Sequence, residues 1–327
     1  MAEIWREVAE RVRNWGKWGD SDQVGTLNYI TPEKVIAASR LVKKGRSFPL
    51  CAPFDADGPW NGSFFRRNPI RTMIVHGGDE QIADHLEGFG GTVGAAFQQM
   101  YKGPMRFADD VIVMNLQSGT QWDALSHVWY ESKMYNGFPA SAVTGLGATR
   151  NGIEKVVEKG QVVTRGVLLD VARRHNLKHL APNTIITPDE LETTAKAQGI
   201  KLEQGDVVIV RTGWWQHFVE TRNGEEFLVG SPGLSWRCAE WLHQRKAAAV
   251  ACDNVAVEVS PAEIEGTTLL FHMLALREMG MMLGEMWDPE ALATDCAQDK
   301  VYEFMLVAQP LLLPGAVGSP VNPMAIK

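Results

Sequence analysis

The chain has 327 residues, 45% of them hydrophobic and 22% charged, an ordinary globular composition with length enough for a large core. Its formal net charge of −7 and the lack of any basic run exclude a nucleic-acid-binding surface. No apolar stretch is long enough to span a bilayer, and the charged start Met1-Ala-Glu-Ile-Trp-Arg-Glu7 lacks the apolar core of a secretory signal; no membrane partner is expected, and the expected location is cytoplasmic.

Ile4, Val8, Val12 and Trp15 recur at helical spacing and predict an amphipathic N-terminal helix. A Gly- and Asp-rich loop follows from Gly16 to Gly25. Thr31-Pro32-Glu33 reads as the cap and first turn of a second helix reaching about Leu41. Residues 51–70, rich in Pro, Gly, Asn and aromatics, predict a long excursion over the surface, the kind of segment that covers a site or reaches a second subunit. Arg71–Val75 reads as a strand ending in His76-Gly77-Gly78, and a second loop is expected from Gly88 to Gly94. Val111–Leu116 is an apolar, β-branched run that predicts a strand leading into the polar stretch Gln117-Ser-Gly-Thr-Gln-Trp-Asp-Ala-Leu-Ser-His127. If the chain stays extended, Gln117, Gln121, Asp123 and His127 share one face. Two readings stand side by side here: a strand end whose polar groups cap a loop, or the edge of a polar site.

Residues 131–152 look loop-like. Beyond them strands and helices interleave. Gly166–Val171, Asp206–Thr212, Ala247–Cys252 and Tyr302–Gln309 are apolar strands. Thr187-Pro-Asp-Glu190 is a capping box that opens a helix ending near Gly199, and further helices are expected at Ser235–Arg245, Phe271–Leu283 and Pro289–Cys296. The pattern favours one α/β domain over residues 1–327, with residues 1–70 forming N-terminal helices and an arm. Eleven tryptophans, two pairs of them close together, suggest that some line a pocket or a subunit contact. The four scattered cysteines are expected as reduced, buried thiols.

Several chemistries are absent from the pattern. No G-x-S-x-G elbow and no phosphate loop occur, and Gly145-Leu-Gly147-Ala-Thr-Arg150 is an incomplete dinucleotide fingerprint, so no nucleotide cofactor is expected. What remains is the Asp123/His127 cluster and a second acid–imidazole pair, His272 and Glu285, at the two ends of the Phe271–Leu283 region. A lone imidazole on an apolar helix is more often a core residue than a ligand. A carboxylate flanked by Leu283, Met286 and Trp287 is costly, however, unless a cation or hydrogen-bond donor meets it.

Gln117-Ser-Gly-Thr-Gln-Trp-Asp-Ala-Leu-Ser-His127 resembles H-x-G-T-H-x-D-x-P-x-H, the signature of the metal-dependent cyclase-like hydrolases, which include bacterial kynurenine formamidase and isatin hydrolase. Phe271-His272…Gly280…Leu283-Gly-Glu285 resembles that family's second motif, and Asn14-Trp-Gly…Gly25-Thr-Leu-Asn28…Thr31-Pro32 the start of its longer bacterial members. The resemblance implies a central mixed sheet or barrel-like β core flanked by helices. It also implies a small-molecule substrate and a homodimer or homotetramer. Position by position it makes His127 the proton donor and acceptor, His272 a metal ligand, and Asp123 and Glu285 carboxylates that serve both catalysis and metal binding. The family's two other metal histidines are here Gln117 and Gln121, and its proline is Leu125. A neutral amide oxygen is a poor ligand for zinc beside imidazole and carboxylate. One divalent ion, zinc or manganese, on Asp123, His272 and Glu285 is thus the expected cofactor, with Gln117, Gln121, Trp122 and His76 as candidate substrate contacts. The expected activity is a hydrolase acting on a C–N or C–O bond of a cyclic amide, lactone or aryl formamide. The alternatives are a metal-independent cyclase or lyase on the same fold and a non-catalytic binding protein.

Overall fold

A computed structural model of the chain describes residues 4–78, 99, 104–160 and 162–327. Histidine 85 and the loop expected at 88–94 lie outside the described residues. Nine strands form one curled mixed sheet: β1 (Ser47–Pro49), β2 (Gln121–Asp123), β3 (Val163–Asp170), β4 (Val207–Arg211), β5 (Ala249–Cys252), β6 (Met282–Glu285), β7 (Glu303–Val307), β8 (Gly318–Pro320) and β9 (Met324–Ile326). Their spatial order is β1-β9-β7-β3-β4-β5-β6-β2-β8. The middle four, β3 to β6, run parallel, and both flanks are antiparallel. The parallel strands β4 and β5 are buried along their whole length, which is why their sequences Val-Val-Ile-Val and Ala-Val-Ala-Cys are apolar without alternation. The α/β architecture with a mixed, helix-flanked sheet agrees with the expectation.

The N-terminal helix Ile4–Val12 buries Trp5, Val8, Ala9 and Val12. Helix Pro32–Ser39 is capped by Thr31, whose side chain accepts from the Lys34 N–H, and ends two residues before the expected Leu41. The segment after the first helix clasps the turn that leads into β6. Thr26 donates from its backbone N–H to the Gly280 carbonyl at 2.8 Å and from Oγ1 to the Ala248 carbonyl at 2.7 Å. Gly25 makes this clasp possible: its φ is +55°, and a Cβ there would lie 2.0 Å from the Gly280 oxygen.

Three expectations need correction. The run expected as strand Val111–Leu116 is instead part of an exposed two-stranded ribbon, Asp109–Val113 paired with Ile70–Val75. Its apolar residues face outward and do not carry the polar stretch to the core. The helix expected over Phe271–Leu283 stops early. It runs as Leu270–His272, continues as a π-helix over Met273–Met279 and ends at Gly280 with φ +65°, and the chain then turns into β6. Glu285 therefore stands on a strand and not at a helix end. Finally, two helices of eight and six residues, Trp214–Thr221 and Gly224–Val229, stand where the pattern predicts none, since each is too short to show a helical period. With Trp60, Val255 and Met286 they build a second apolar cluster beside the main core.

The 51–70 segment is tied down as well as exposed. The Trp60 indole donates to the Ser118 carbonyl at 3.0 Å and the Ala52 N–H to Thr120 Oγ1 at 2.9 Å, while Phe65 projects fully into solvent. The four cysteines are free, and three of them are buried. Among the described residues no helix is long and apolar enough to cross a membrane.

Candidate active site

The site forms where β2 pairs with β6. The antiparallel register sets Gln121 directly opposite Glu285 and Asp123 opposite Leu283. With a side-chain period of two, Gln121, Asp123 and Glu285 face one side and Trp122 faces the other. This is the two-segment convergence that the sequence motifs require. It also corrects the expectation for Trp122, which is completely buried, donates to the Ala308 carbonyl at 2.7 Å and meets the Trp287 ring at 5.0 Å: it packs the core. Gly284, opposite Trp122, is glycine for space, since a Cβ there would approach Ala251 Cβ at 2.6 Å and Trp122 Cζ3 at 3.0 Å.

His272 enters from the helix that precedes the π-turns. Its Nδ1 lies 2.6 Å from Glu258 Oε1, and Glu258 also accepts the backbone N–H groups of Phe271 and His272. Its Nε2 lies 3.0 Å from Glu285 Oε1 and 3.5 Å from Asp123 Oδ2. Glu258 was not foreseen. The only signal was a carboxylate between valines in Val257-Glu-Val259, and it fixes the ring orientation that aims Nε2 at the two acids. His127 comes from the turn after β2, where its N–H donates to the Ala124 carbonyl, and not from an extended strand shared with Gln117. Its Nε2 stands 3.9 Å from Asp123 Oδ2, close enough for charge interaction and too far for a hydrogen bond.

Gln121 explains itself in this geometry. Its Nε2 donates to Glu285 Oε2 at 2.6 Å and to Asp123 Oδ1 at 3.2 Å, so an amide bridges the two carboxylates. The inner oxygens remain. Asp123 Oδ2, Glu285 and His272 Nε2 converge, with ligand atoms of all three residues within 4.8 Å of one another, and Asp123 Oδ2 is buried with no hydrogen bond. Two carboxylates facing an imidazole nitrogen call for a positive centre between them, either a proton on Nε2 or a metal ion. The donor set, with a carboxylate behind the imidazole, fits a divalent cation.

Burial opposes the charged form of Asp123, but His127, His272 and Arg66 outweigh it and hold that carboxyl below its ordinary value. Glu285 is pushed up to about 7 by burial and by the neighbouring Asp123 charge. Burial would deprotonate His272, yet its contacts with Asp123, Glu258 and Glu285 prevail and raise it well above the usual imidazole range. The His127 pKa is lowered by burial and by the positive charges of His272 and Arg66, against the pull of Asp123. The surroundings thus favour positive charge at His272 and the neutral ring at His127.

His127, Glu258, His272 and Glu285 line a cavity of about 350 Å³ together with Trp60, Phe64, Arg66, Leu228, Val255 and Leu269, while Asp123 and Gln121 are buried behind them and do not line it. Gln117, expected as a substrate contact, is not among the residues lining the cavity, and its Nε2 is buried without a partner. His76 is exposed at the end of the ribbon and is not among the residues lining the cavity. Asp253 accepts from the Thr212 and Gly213 N–H groups and the Thr212 hydroxyl, a structural role in the turn after β5.

Residues 49–259 match the cyclase family. The chain belongs to the cyclase family. A crystal structure of a novel cyclase is 42% identical to it, with a TM-score of 0.84 over 97% of this chain and 100% of the other. Isatin hydrolase A from Labrenzia aggregata, bound to benzyl benzoate, and an isatin hydrolase bound to the product analogue thioisatinate are each 17% identical. Their TM-scores are 0.59 and 0.58, over 90% of this chain and 99% and 98% of theirs, a likeness of fold. No curated protein matches the chain. This cyclase-family chain thus carries the second motif, His272 to Glu285, beyond the stretch matched by the family model but within the fold it shares with the novel cyclase.

Proposed function

We propose that the chain is a hydrolase that opens a C–N or C–O bond in a small cyclic amide, lactone or aryl formamide, with His127 as the acid and base. The observation that carries this reading is the pairing of a neutral, partly exposed imidazole on the cavity edge with a buried acid cluster that demands a cation. Asp123, His272 and Glu285 would hold a single divalent ion, zinc or manganese. When bound, such an ion would polarise a water and a carbonyl oxygen and offset charge building on that oxygen. His127 Nε2, facing the cavity beside Asp123, takes a proton from the attacking water; the protonated ring then gives it to the leaving nitrogen or oxygen as the acyl bond breaks. Asp123 stabilises the imidazolium in between. Glu258 holds His272 in place, and the apolar walls keep bulk water from the reacting carbonyl.

A second reading is favoured by the Gln121 amide, which already occupies one oxygen of each acid: the same residues could work with protonated His272 as the positive centre, in hydrolysis, cyclisation or elimination. Turnover by a panel of lactones, cyclic imides and aryl formamides tests the proposal. Hydrolysis abolished by His127→Asn supports it. Binding without turnover across the panel would leave a non-catalytic binding protein. The ribbon Ile70–Val75/Asp109–Val113 exposes Ile70, Ile74, Ile112 and Val113 next to the solvent-facing Phe64 and Phe65, and we place a second copy of this chain there, in a homodimer or homotetramer. Light scattering showing a monomer that Ile74→Lys leaves unchanged would refute that placement.

A further inference from the structure

The cavity contains a cation that the proposed chemistry does not use. Arg66 lines the cavity together with Trp60 and Phe64. Its guanidinium carbon stands 4.9 Å from the Trp60 ring centroid, and Nη1 donates to the Gln117 carbonyl at 3.1 Å. Those two contacts fix the side chain but use only one of its five N–H donors. Among the described residues no carboxylate pairs with it. Its charge nevertheless reaches the site, since it favours the ionised forms of Asp123 and Glu285 and the neutral form of His127. A preorganised guanidinium facing a cavity, without an acid of its own, is arranged to receive a planar oxygen pair from outside.

The rest of the lining says what else the ligand carries. Leu228, Val255, Val259, Pro261 and Leu269, with Trp60, present apolar surface, and about 350 Å³ is at the small end for a ligand pocket. That space suits a flat ring of one or two cycles. We propose that Arg66 is the anion anchor of this cavity, and that the ligand is a compact aromatic ring bearing a carboxylate or an acyl group that becomes one on hydrolysis. The acyl group then lies between His127 and Arg66: its carbon is attacked beside the imidazole, and the same carbon's oxygens, once a carboxylate has formed, are held by the guanidinium.

This inference rests on the hydrolytic reading for the origin of the carboxylate, but its test requires no turnover. The full-length protein is titrated calorimetrically with benzoate and with the uncharged isostere benzamide. The parent should bind benzoate more tightly than benzamide. Arg66→Gln should weaken benzoate by about tenfold or more, the scale of a lost charge-assisted hydrogen bond, and leave benzamide within about twofold. Arg66→Leu, which keeps a stem against Trp60, makes the same test should the glutamine variant not fold. Equal affinity of parent and variant for benzoate, or a parent with no preference for it, overturns the anchor. A preference for benzoate that survives in Arg66→Gln, with His127-dependent turnover intact, would refute the anchor alone; Arg66-dependent benzoate binding without turnover of any panel compound would refute the hydrolytic reading alone.

Discussion

Two clusters of buried charge lie within one stretch of chain, and they are built on opposite plans. Around Glu278, a single carboxylate meets the guanidiniums of Arg13 and Arg277 and the hydroxyl of Tyr130, with Arg277 also donating to the Lys133 carbonyl. Glu278 and Arg277 are both buried, and their charges are balanced. Around Glu285, three carboxylates share one imidazole and one amide, Asp123 Oδ2 and Gln121 Oε1 lack partners, and a cavity opens alongside. A satisfied network locks the N-terminal segment onto the π-helix. An unsatisfied one at a cavity floor is kept because something else completes it.

The contrast can be broken by substitution. The largest effect is expected at His127: His127→Asn should lower kcat/KM by about 10²–10⁴-fold while the melting temperature stays within a few degrees, measured on the substrate found by the panel. Next comes Glu278→Ala, which strands buried Arg277 and should cost about 3–5 kcal/mol in denaturant unfolding without moving kcat/KM of the folded fraction. Gly284→Ala places a methyl 2.6 Å from Ala251 Cβ and 3.0 Å from Trp122 Cζ3 and should cost about 1–3 kcal/mol by the same measurement. Glu285→Gln should behave in the opposite way to Glu278→Ala. Glu285 has a raised pKa in the folded protein, about 7 against an ordinary carboxylate value of about 4.3, so ionising it costs stability as pH rises through that window. In metal-free protein the glutamine variant is spared that cost, and the stability difference should shift in its favour from about pH 4.3 to about pH 7. A variant that loses stability relative to the parent across this range would place Glu285 with Glu278 as a structural acid. The smallest effect serves as a control whose partners belong to neither cluster. Asp299, held down to about 2 despite partial burial by Lys327 and Lys44, contributes stability that is present above about pH 4 and lost as pH falls through about 2. Asp299→Asn should therefore cost about 1 kcal/mol at neutral pH, and the cost should vanish under strong acid.

The same comparison shows what can be read from residues alone. Asp123, His127, His272 and Glu285 stand out because each interrupts an apolar run, and an uncompensated polar group in such a run must be met by something. Their convergence depends on β2 pairing with β6, and local pattern does not report pairing. Met281-Met-Leu-Gly284 is as apolar as the helix before it, so the helical period runs on until the left-handed Gly280 is seen to stop it. The expected strand face of Gln117, Gln121, Asp123 and His127 fails for a related reason: Gly119 and Ala124–His127 are turns, and only Gln121 and Asp123 keep strand geometry. Glu258 and Arg66 were not legible. Each lies in an irregular segment, and each gains its role from partners reached only through the fold, His272 for one and the Trp60 wall for the other. The Gln121 substitution, by contrast, is visible in the sequence, and the structure gives it a role as a bridge between acids. Gln117→His with Gln121→His replaces that bridge by imidazoles and should tighten metal binding; unchanged affinity would count against the correspondence of these positions with the family's metal histidines.

The central claim is that Asp123, His272 and Glu285 enclose a place for one divalent cation. Calorimetric titration of chelator-treated protein with zinc and with manganese tests it most directly. The account predicts one equivalent bound per chain, lost in His272→Ala and in Glu285→Ala while Glu278→Gln, which leaves the site untouched, retains it. A parent protein that binds neither ion, or a Glu285→Ala variant that binds as tightly as the parent, would contradict it.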